Sequence, residues 1–164
     1  MNPVLVHLVR HAEAGVPAHW PGADVARPLS EAGHRQAVRL VKLFADEPFA
    51  QLLSSSFLRC TQTFEPLAAA RGLAIAVRDE LAEGQPWEYL QKAVLESEGE
   101  GPTAVCVHGD MLRELMQDLT DRGVAHPGKE NFRKGSTWVL GVRDGTIVTA
   151  RHVQAPPAEQ SPSD

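Results

Sequence analysis

The chain has 164 residues, a length that fits one domain, and its 43% hydrophobic and 23% charged residues are ordinary values for a globular protein. The formal net charge of -5 argues against non-specific binding of nucleic acid. Because no apolar run reaches about 18 residues and no secretory signal is visible, we expect a cytoplasmic protein without a nucleic-acid or membrane partner.

The first predicted element is a strand over residues 4–9 that ends directly in Arg10 and His11. Ligands of open α/β sheets bind in the crevice beyond the carboxyl ends of the strands. An arginine fork matches phosphate oxygens, and a neutral imidazole beside it can attack phosphorus or relay a proton. The end of this strand is therefore a candidate phosphate site.

The next segment, Ala14 to Leu29, is a polar loop that contains proline and glycine. Loops of this length are usually functional or mobile, and this one directly follows the first candidate site element. Helical periodicity and helix-end signals resume after it. The predicted helices run from Ser30 to before Pro48, from about Phe57 to Gly72, from Pro86 to Leu95 and from Met111 to Thr120.

Two of the strand-like runs between these helices also lead into polar groups. Residues 51–53 continue through three serines into the helix that carries Arg59, and residues 103–107 end in His108. Parallel strands that are separated by helices place such ends on one edge of the sheet. We therefore expect Arg59 and His108 to lie beside the end of the first strand.

The remaining strands complete the sheet. Short strands are expected at residues 74–77 and 136–140, and Asp144-Gly145 is a hairpin signal before a last strand over residues 146–152. Alternating strands and helices predict an α/β fold of three layers, with helices on both faces of a mostly parallel sheet. The closing hairpin adds at least one antiparallel pair.

A single domain is expected over residues 1–154. Residues 155–164 are rich in proline, serine and glutamine and are expected to form a disordered tail. The two cysteines, Cys60 and Cys106, fall in a predicted helix and a predicted strand, and we interpret both as small core residues rather than as a disulfide.

Several short motifs together resemble the histidine phosphatase (phosphoglycerate-mutase-like) superfamily, and the short chain resembles its bacterial phosphohistidine-phosphatase-like branch. The resemblance covers roughly residues 4–153 and implies a phosphoglycerate-mutase-like fold. A similar module occurs fused to Nudix hydrolases, and no Nudix segment is expected here. The motifs are Arg10-His11-Ala12-Glu13, Pro28-Leu29-Ser30 with Gly33 and Gln36-Ala37, Ser54-Ser55 with Arg59, Gln62-Thr63, Leu81-Ala82-Glu83, Val107-His108-Gly109 and Gly135-Ser136-Thr137.

The resemblance also implies a role for each candidate site residue. His11 would be the nucleophile and would form a phosphohistidine, while Arg10 and Arg59 would bind the phosphoryl oxygens. His108 would be a further phosphate ligand. Glu83 would protonate the leaving group and then deprotonate the hydrolytic water. No metal and no cofactor are implied, because protein cations supply the positive charge.

Some positions remain open or depart from the family pattern. Glu80 is an alternative acid, although the position two residues after Leu81 favours Glu83. Ala12 replaces a commoner glycine, which is compatible with the imidazole contact of its carbonyl if the backbone φ stays negative. Asp110 replaces a commoner small residue, and its negative charge lies close to the predicted site.

Short segments separate Arg59, Glu83 and His108, so little of the chain remains for a lid that would exclude water. We therefore predict hydrolysis of a phosphomonoester or of a protein phosphohistidine, in an open site that admits a small molecule, a nucleotide or a phosphoprotein. A phosphoglycerate-mutase-type phosphotransferase or a broad sugar-phosphate phosphatase is the main alternative. A non-catalytic phosphate-binding module is the third.

Overall fold

A mixed β-sheet lies at the centre of the computed structural model, which describes residues 2–128 and 131–158. Its strands, in chain order, are β1 (Val4–Arg10), β2 (Gln51–Ser55), β3 (Ile75–Arg78), β4 (Thr103–Val107), β5 (Thr137–Arg143) and β6 (Thr146–Val153). They are arranged in the order β3-β2-β4-β1-β5-β6. The pairs from β3 to β1 are parallel, and β5 is antiparallel to both β1 and β6. The predicted α/β fold is confirmed, with two antiparallel pairs.

Four α-helices cover the sheet in the described part of the chain: α1 (Glu31–Leu43), α2 (Leu58–Arg71), α3 (Glu88–Glu100) and α4 (Gly109–Asp121). Ser30 begins α1 as predicted, because its Oγ accepts a hydrogen bond from the Gly33 N–H at 3.1 Å. Gly72 ends α2 in the left-handed conformation, with φ +64°. Both helix-end predictions are confirmed.

The bounds of three helices differ from the prediction, and α4 runs from Gly109 to Asp121 instead of from Met111 to Thr120. The first helix ends at Leu43, well before Pro48, because residues 44–47 leave the helix in successive turns. The third helix begins two residues late, at Glu88, and continues past Leu95 to Glu100. Its last turns are polar and show no apolar period, but glutamates favour helix and Gly101, at φ +108°, ends it.

Alternating residues of the strands face two different helix layers. In β4, Ala104 and Cys106 pack with α1 and α2, whereas Val105 and Val107 pack with α3 and α4. This alternation follows from the two-residue period of a strand. Cys60 of α2 is buried in the same cluster as Cys106, and both thiols are free. The prediction of two small core residues is confirmed.

The tail prediction falls partly on residues 159–164, which lie outside the described residues, and it stays a prediction. Residues 155–158 are described and lie against α1. Gln36 Nε2 donates to Pro156 O at 3.0 Å, and Arg39 donates to Pro157 O. None of the helices in the described ranges is long and apolar enough to cross a membrane.

The close approach of α1 to the segment after β1 requires glycine at position 33. A Cβ atom at Gly33 would lie 1.9 Å from the carbonyl oxygen of Glu13. The same oxygen accepts hydrogen bonds from the backbone N–H of Ser30 at 3.0 Å and from its Oγ at 3.1 Å. The start of α1 therefore holds the chain that follows the first strand.

We expect Gly33→Ala to lower the free energy of unfolding by roughly 1–3 kcal/mol, because the added methyl group must displace backbone. The matched control is Gly99→Ala in α3, where a Cβ meets nothing within 4 Å. That exchange is expected to stabilise the protein by up to about 1 kcal/mol. Urea denaturation of both variants measures the difference, and equal effects would contradict the steric argument.

Candidate active site

The two predicted site histidines meet at the carboxyl edge of the sheet. His11 directly follows β1 and His108 directly follows β4, and their ring centroids lie 5.4 Å apart. The two strands are parallel neighbours, with Arg10 paired to Val107. The backbone N–H of His11 donates to Val107 O at 3.0 Å. Their 4% and 0% exposure shows that both imidazoles are enclosed by protein.

The environment of His11 keeps its imidazole neutral and oriented. Its Nδ1 lies 2.9 Å from Ala12 O, and because a carbonyl can only accept, Nδ1 carries the hydrogen. The second ring nitrogen, Nε2, therefore keeps its lone pair. The pKa of His11 is lowered to about 3, mainly by burial; the hydrogen bond to Ala12 O acts in the opposite direction, and electrostatic interactions with His108, Arg59 and Arg10 add to the lowering.

The alanine at position 12 is compatible with this arrangement. Among the described residues, Asp144 is the one non-glycine residue with a positive φ, so Ala12 keeps an ordinary backbone conformation. Its carbonyl contacts the imidazole, and its N–H donates to Thr63 Oγ1 at 3.0 Å. The alanine thus has the negative φ that this position requires if glycine is to be replaced.

Arg10 and Arg59 both reach this edge of the sheet and are fastened by other groups. Arg10 Nη1 donates to Phe132 O at 2.6 Å. Arg59 is 1% exposed, and its Nη1 donates to Asp24 O at 3.0 Å. Its Nη2 contacts two carboxylates, Asp24 Oδ2 at 3.1 Å and Glu83 Oε2 at 3.2 Å. The Nε of each guanidinium is buried without a hydrogen-bond partner in the protein.

His108 supplies a third buried nitrogen that has no hydrogen-bond partner in the protein. Its Nε2 lies 2.8 Å from Ser55 Oγ, which accepts from the Phe57 N–H at 3.2 Å. Nε2 also lies 3.5 Å from Cys60 Sγ. The tautomer in which the Ser55 hydroxyl donates to Nε2 has its ring hydrogen on Nδ1. That Nδ1 is the buried nitrogen without a partner. The Phe57 ring packs against His108 at 4.9 Å and beneath the Arg59 guanidinium at 4.8 Å.

Seven buried side-chain atoms of the described residues have no hydrogen-bond partner, and three of them are nitrogens of side chains that interact electrostatically with His11. These three are Nε of Arg10, Nε of Arg59 and Nδ1 of His108. Buried polar groups in proteins are nearly always hydrogen-bonded, so such a group calls for an explanation. An oxyanion with several acceptor oxygens is the ligand that satisfies donors of this type together.

Of the two candidate acids, Glu83 is the one that lies at Arg59. Leu81 is fully buried, and the chain turns around it so that the two glutamates reach different places. Glu80 lies 3.9 Å from Arg78 in an exposed pair and lines a separate cavity near Tyr89. The structure thus brings Glu83, and not Glu80, to the other predicted site residues.

Asp24 is a site residue that the sequence analysis did not identify. It lies in the loop between Ala14 and Leu29 and contacts Arg59 through both its carbonyl and its carboxylate. The guanidinium of Arg27, 2.9 Å away, and that of Arg59 lower the pKa of this carboxyl below its ordinary value. The loop is therefore attached to the site. A hint in the sequence was the position of Asp24 just before the Pro28-Leu29-Ser30 motif.

The other motif residues form a hydrogen-bonded frame around the segment after β1. Gln36 Oε1 accepts from the Glu13 N–H at 2.9 Å, and Gln62 Oε1 accepts from the Leu29 N–H at 2.8 Å. Thr63 Oγ1 donates to Arg59 O at 2.6 Å while it accepts from Ala12. These contacts tie the arginine-bearing helix to the backbone that orients His11.

The remaining buried histidine of the first strand lies away from this edge. His7 points toward α1, where the rings of Phe44 and Phe49 contact it edge-on at 5.2 and 5.0 Å. Burial, together with the charge of Arg151, lowers the pKa of His7 to about 4. Within residues 2–128 and 131–158, no three His, Cys, Asp or Glu side chains are grouped so as to hold a metal ion.

Arg10 also lines a polar cavity of about 890 Å³. Arg133 and Lys134 line it, and Lys134 Nζ lies 3.4 Å from Glu13 Oε1. His152 also lines this cavity, and burial lowers its pKa. The cavity therefore places further cationic groups next to an arginine of the candidate site.

This chain resembles a known protein family and a curated relative. Residues 6–98 match the family model of the histidine phosphatase superfamily (branch 1). An 8-oxo-(d)GTP phosphatase of Mycolicibacterium smegmatis is 33% identical over 155 residues, which are 92% of this chain and 48% of that protein. The chain thus spans about half the length of this curated relative.

Solved structures share the fold. The protein histidine phosphatase SixA complexed with tungstate has a TM-score of 0.73 at 18% identity, with coverage of 94% of this chain and 97% of that one. A provisionally assigned phosphohistidine phosphatase SixA from Agrobacterium tumefaciens has a TM-score of 0.66 at 26% identity, with coverage of 85% and 92%. The predicted phosphoglycerate-mutase-like fold is therefore confirmed.

The depressed pKa of His11 predicts an acid-sensitive contribution to stability. In the unfolded chain this side chain takes up a proton below pH 6.5, whereas in the folded protein it does so only near its pKa of about 3. Stability is therefore lost as the pH falls between these values, by up to about 1.4 kcal/mol per pH unit. We expect His11→Asn to show a shallower fall of unfolding free energy over this range.

The control for this measurement is His34→Asn, which alters an exposed histidine of α1. Its unfolding free energy should follow the wild-type pH dependence, because the side chain that it removes is exposed to solvent. Parallel pH dependences for wild-type protein and His11→Asn would contradict the assignment of a buried neutral imidazole.

Proposed function

The chain belongs to the histidine phosphatase superfamily, as predicted, and from this premise we propose that it is a metal-independent phosphatase that works through a covalent phosphohistidine at His11. Membership of this family supports the phosphatase class. One observation carries the proposal for this chain: three side chains that interact electrostatically with the neutral His11 imidazole each carry a buried nitrogen without a protein partner.

In the first step, His11 Nε2 attacks the phosphorus of the substrate. A bond forms between Nε2 and phosphorus, the bond from phosphorus to the leaving oxygen breaks, and its electron pair stays on that oxygen. The hydrogen bond from Nδ1 to Ala12 O stabilises the imidazole as it gains positive charge. The low pKa of His11 keeps the attacking lone pair available throughout the neutral range.

The phosphoryl oxygens are held by the nitrogens that the protein leaves without partners. Arg10 and Arg59 supply their Nε hydrogens, and His108 supplies the hydrogen on Nδ1. These donors are fixed before the substrate arrives, because Phe132, Asp24 and Ser55 each contact another nitrogen of one of these side chains. Preorganised donors of this kind stabilise the charge of the transition state without reorganisation.

Glu83 is proposed as the proton donor for the leaving group. It lies at the rim, with its carboxylate on Arg59 and its side chain 47% exposed, so a leaving group that points outward meets it. In the second step the deprotonated Glu83 takes a proton from water. The water oxygen bonds to phosphorus as the bond to Nε2 breaks, which releases inorganic phosphate and restores neutral His11.

The accessibility of the rim favours hydrolysis over transfer to a second substrate. Glu83 and Asp24 are both about half exposed at the point where the leaving group departs, so water reaches the phosphohistidine. A mutase must keep water away from its phosphoenzyme. The same two carboxylates disfavour a module that only binds phosphate, because their negative charge opposes the bound anion.

Two substrate classes have specific support. The fold is that of phosphohistidine phosphatases, and the half-open rim suits a phosphohistidine on a protein surface. A nucleotide is the second candidate, because a relative is named an 8-oxo-(d)GTP phosphatase and because the cationic cavity beside Arg10 suits the further phosphates of a nucleotide. The cavity is the feature that separates these two classes experimentally.

We expect rapid-quench mixing with a radiolabelled phosphosubstrate to trap a phosphoenzyme that is stable to alkali and labile to acid, with the label on His11. His11→Asn should give no label and lower hydrolysis by about 10³-fold or more. His34→Asn should label like the wild type. A wild-type rate in His11→Asn would overturn the nucleophile, and transfer of label to an added monophosphoglycerate would support the mutase alternative.

If the cavity binds the further phosphate of a nucleotide, Lys134→Ala should raise the KM for a nucleoside diphosphate by about 2- to 5-fold, the value of one exposed ion pair. The KM for nitrophenyl phosphate, which does not extend into the cavity, should stay unchanged. Lys42→Ala, on the exposed surface of α1, is the control. An equal change for both substrates would remove the support for a nucleotide.

A further inference from the structure

The segment that carries Glu83 to the rim forms a tight turn. The N–H of Gln85 donates to Ala82 O at 3.1 Å, which closes a four-residue turn with Glu83 and Gly84 in the middle. Gly84 has φ +87°, the conformation required at the third position of a type II turn. Its own N–H takes no part in the hydrogen bond that closes the turn.

Asp110 supplies the acceptor for that N–H. Its Oδ2 accepts from Gly84 N at 2.8 Å, the length of a charge-assisted hydrogen bond. Asp110 is the second residue of α4, two positions after His108. One side chain thus connects the backbone beside Glu83 to the helix that begins at the phosphate-binding end of β4.

The side chain of Glu83 is held by a different contact from the one that holds this backbone. It is 47% exposed and contacts Arg59 Nη2 at 3.2 Å. Exposed ion pairs restrain their side chains weakly, and this pair loses its negative partner whenever Glu83 is protonated. The location of the carboxyl group during proton transfer therefore depends on the turn, and the turn is anchored by Asp110.

We propose that Asp110 is a positioning residue, which holds the Glu83 turn at the distance needed for proton transfer to the leaving group. This inference rests on the proposed function, because it takes Glu83 as the proton donor. Asp110 does not touch the phosphoryl group in this scheme. Its effect is transmitted through the Gly84 N–H, which adjoins Glu83 in the chain.

A purely electrostatic role for Asp110 makes different predictions. Its negative charge acts on Arg10, whose own charge binds the substrate. If this charge were its contribution, both Asp110→Ala and Asp110→Asn would change the binding of every phosphate substrate alike. A positioning role requires the acceptor oxygen and not the charge, and the side chain of asparagine retains such an oxygen.

The test compares substrates whose leaving groups differ in their need for a proton. Nitrophenolate departs as a stable anion, whereas the alkoxide of glycerol phosphate must be protonated. We expect Asp110→Ala to lower kcat/KM for glycerol phosphate by about 10- to 100-fold, as a displaced catalytic group does, and to change kcat/KM for nitrophenyl phosphate little. Asp110→Asn should behave like the wild type with both.

Two further variants complete the design. Glu114→Ala removes another exposed carboxylate of α4 and should leave both substrates unaffected. Glu83→Gln should itself slow glycerol phosphate selectively, and adding Asp110→Ala to it should cause no further loss, because the positioned group is already absent. Melting temperatures of all variants establish that each is folded.

The inference is overturned if Asp110→Ala slows both substrates equally, if Asp110→Asn is as slow as Asp110→Ala, or if the loss persists undiminished in Glu83→Gln. A different result would overturn the proposed function of the acid instead. If Glu83→Gln shows no dependence on the leaving group, Glu83 is not the proton donor, whatever Asp110 does. The two failures are therefore distinguishable in one set of measurements.

Discussion

The parallel pairing of β1 with β4 is the constraint on which the site depends. The register that sets Arg10 opposite Val107, together with the bond from the His11 N–H to Val107 O, ends both strands at the same level. Two imidazoles that are far apart in the chain then face each other at 5.4 Å. The other site groups are arranged around this pair, and a slip in the register would turn side chains to the opposite face.

This arrangement imposes an energetic cost that the proposed phosphate ligand would relieve. Buried donors without partners destabilise a fold, and the protein retains them at Arg10, Arg59 and His108. The carboxylates of Asp24 and Glu83 offset part of the buried positive charge of Arg59 while they leave its Nε free. Hydrogen bonds of Gln36 and Thr63 hold the backbone around these groups in place. The rest of the fold thus offsets the cost of the donors without partners.

The elements that the sequence predicted well have strong local signals. The end of β1, the Ser30 cap and the Asp144-Gly145 turn each depend on residues that are adjacent in the chain, and the structure contains all three. Boundaries without such signals were predicted less well. The last turns of α3 are polar and show no apolar period, and the end of α1 is set by turns that bring Phe44 and Phe49 together around His7.

By itself, the sequence determined that two histidines and two arginines follow or adjoin strand ends, because local patterning specifies strands and parallel topology brings their ends to one edge. Only the tertiary structure decided which glutamate reaches Arg59, that Asp24 holds the same guanidinium, and that Asp110 anchors the turn of Glu83. Those contacts join helices to segments that are distant from them in the chain. Their geometry depends on how whole elements pack, which no local pattern of residues encodes.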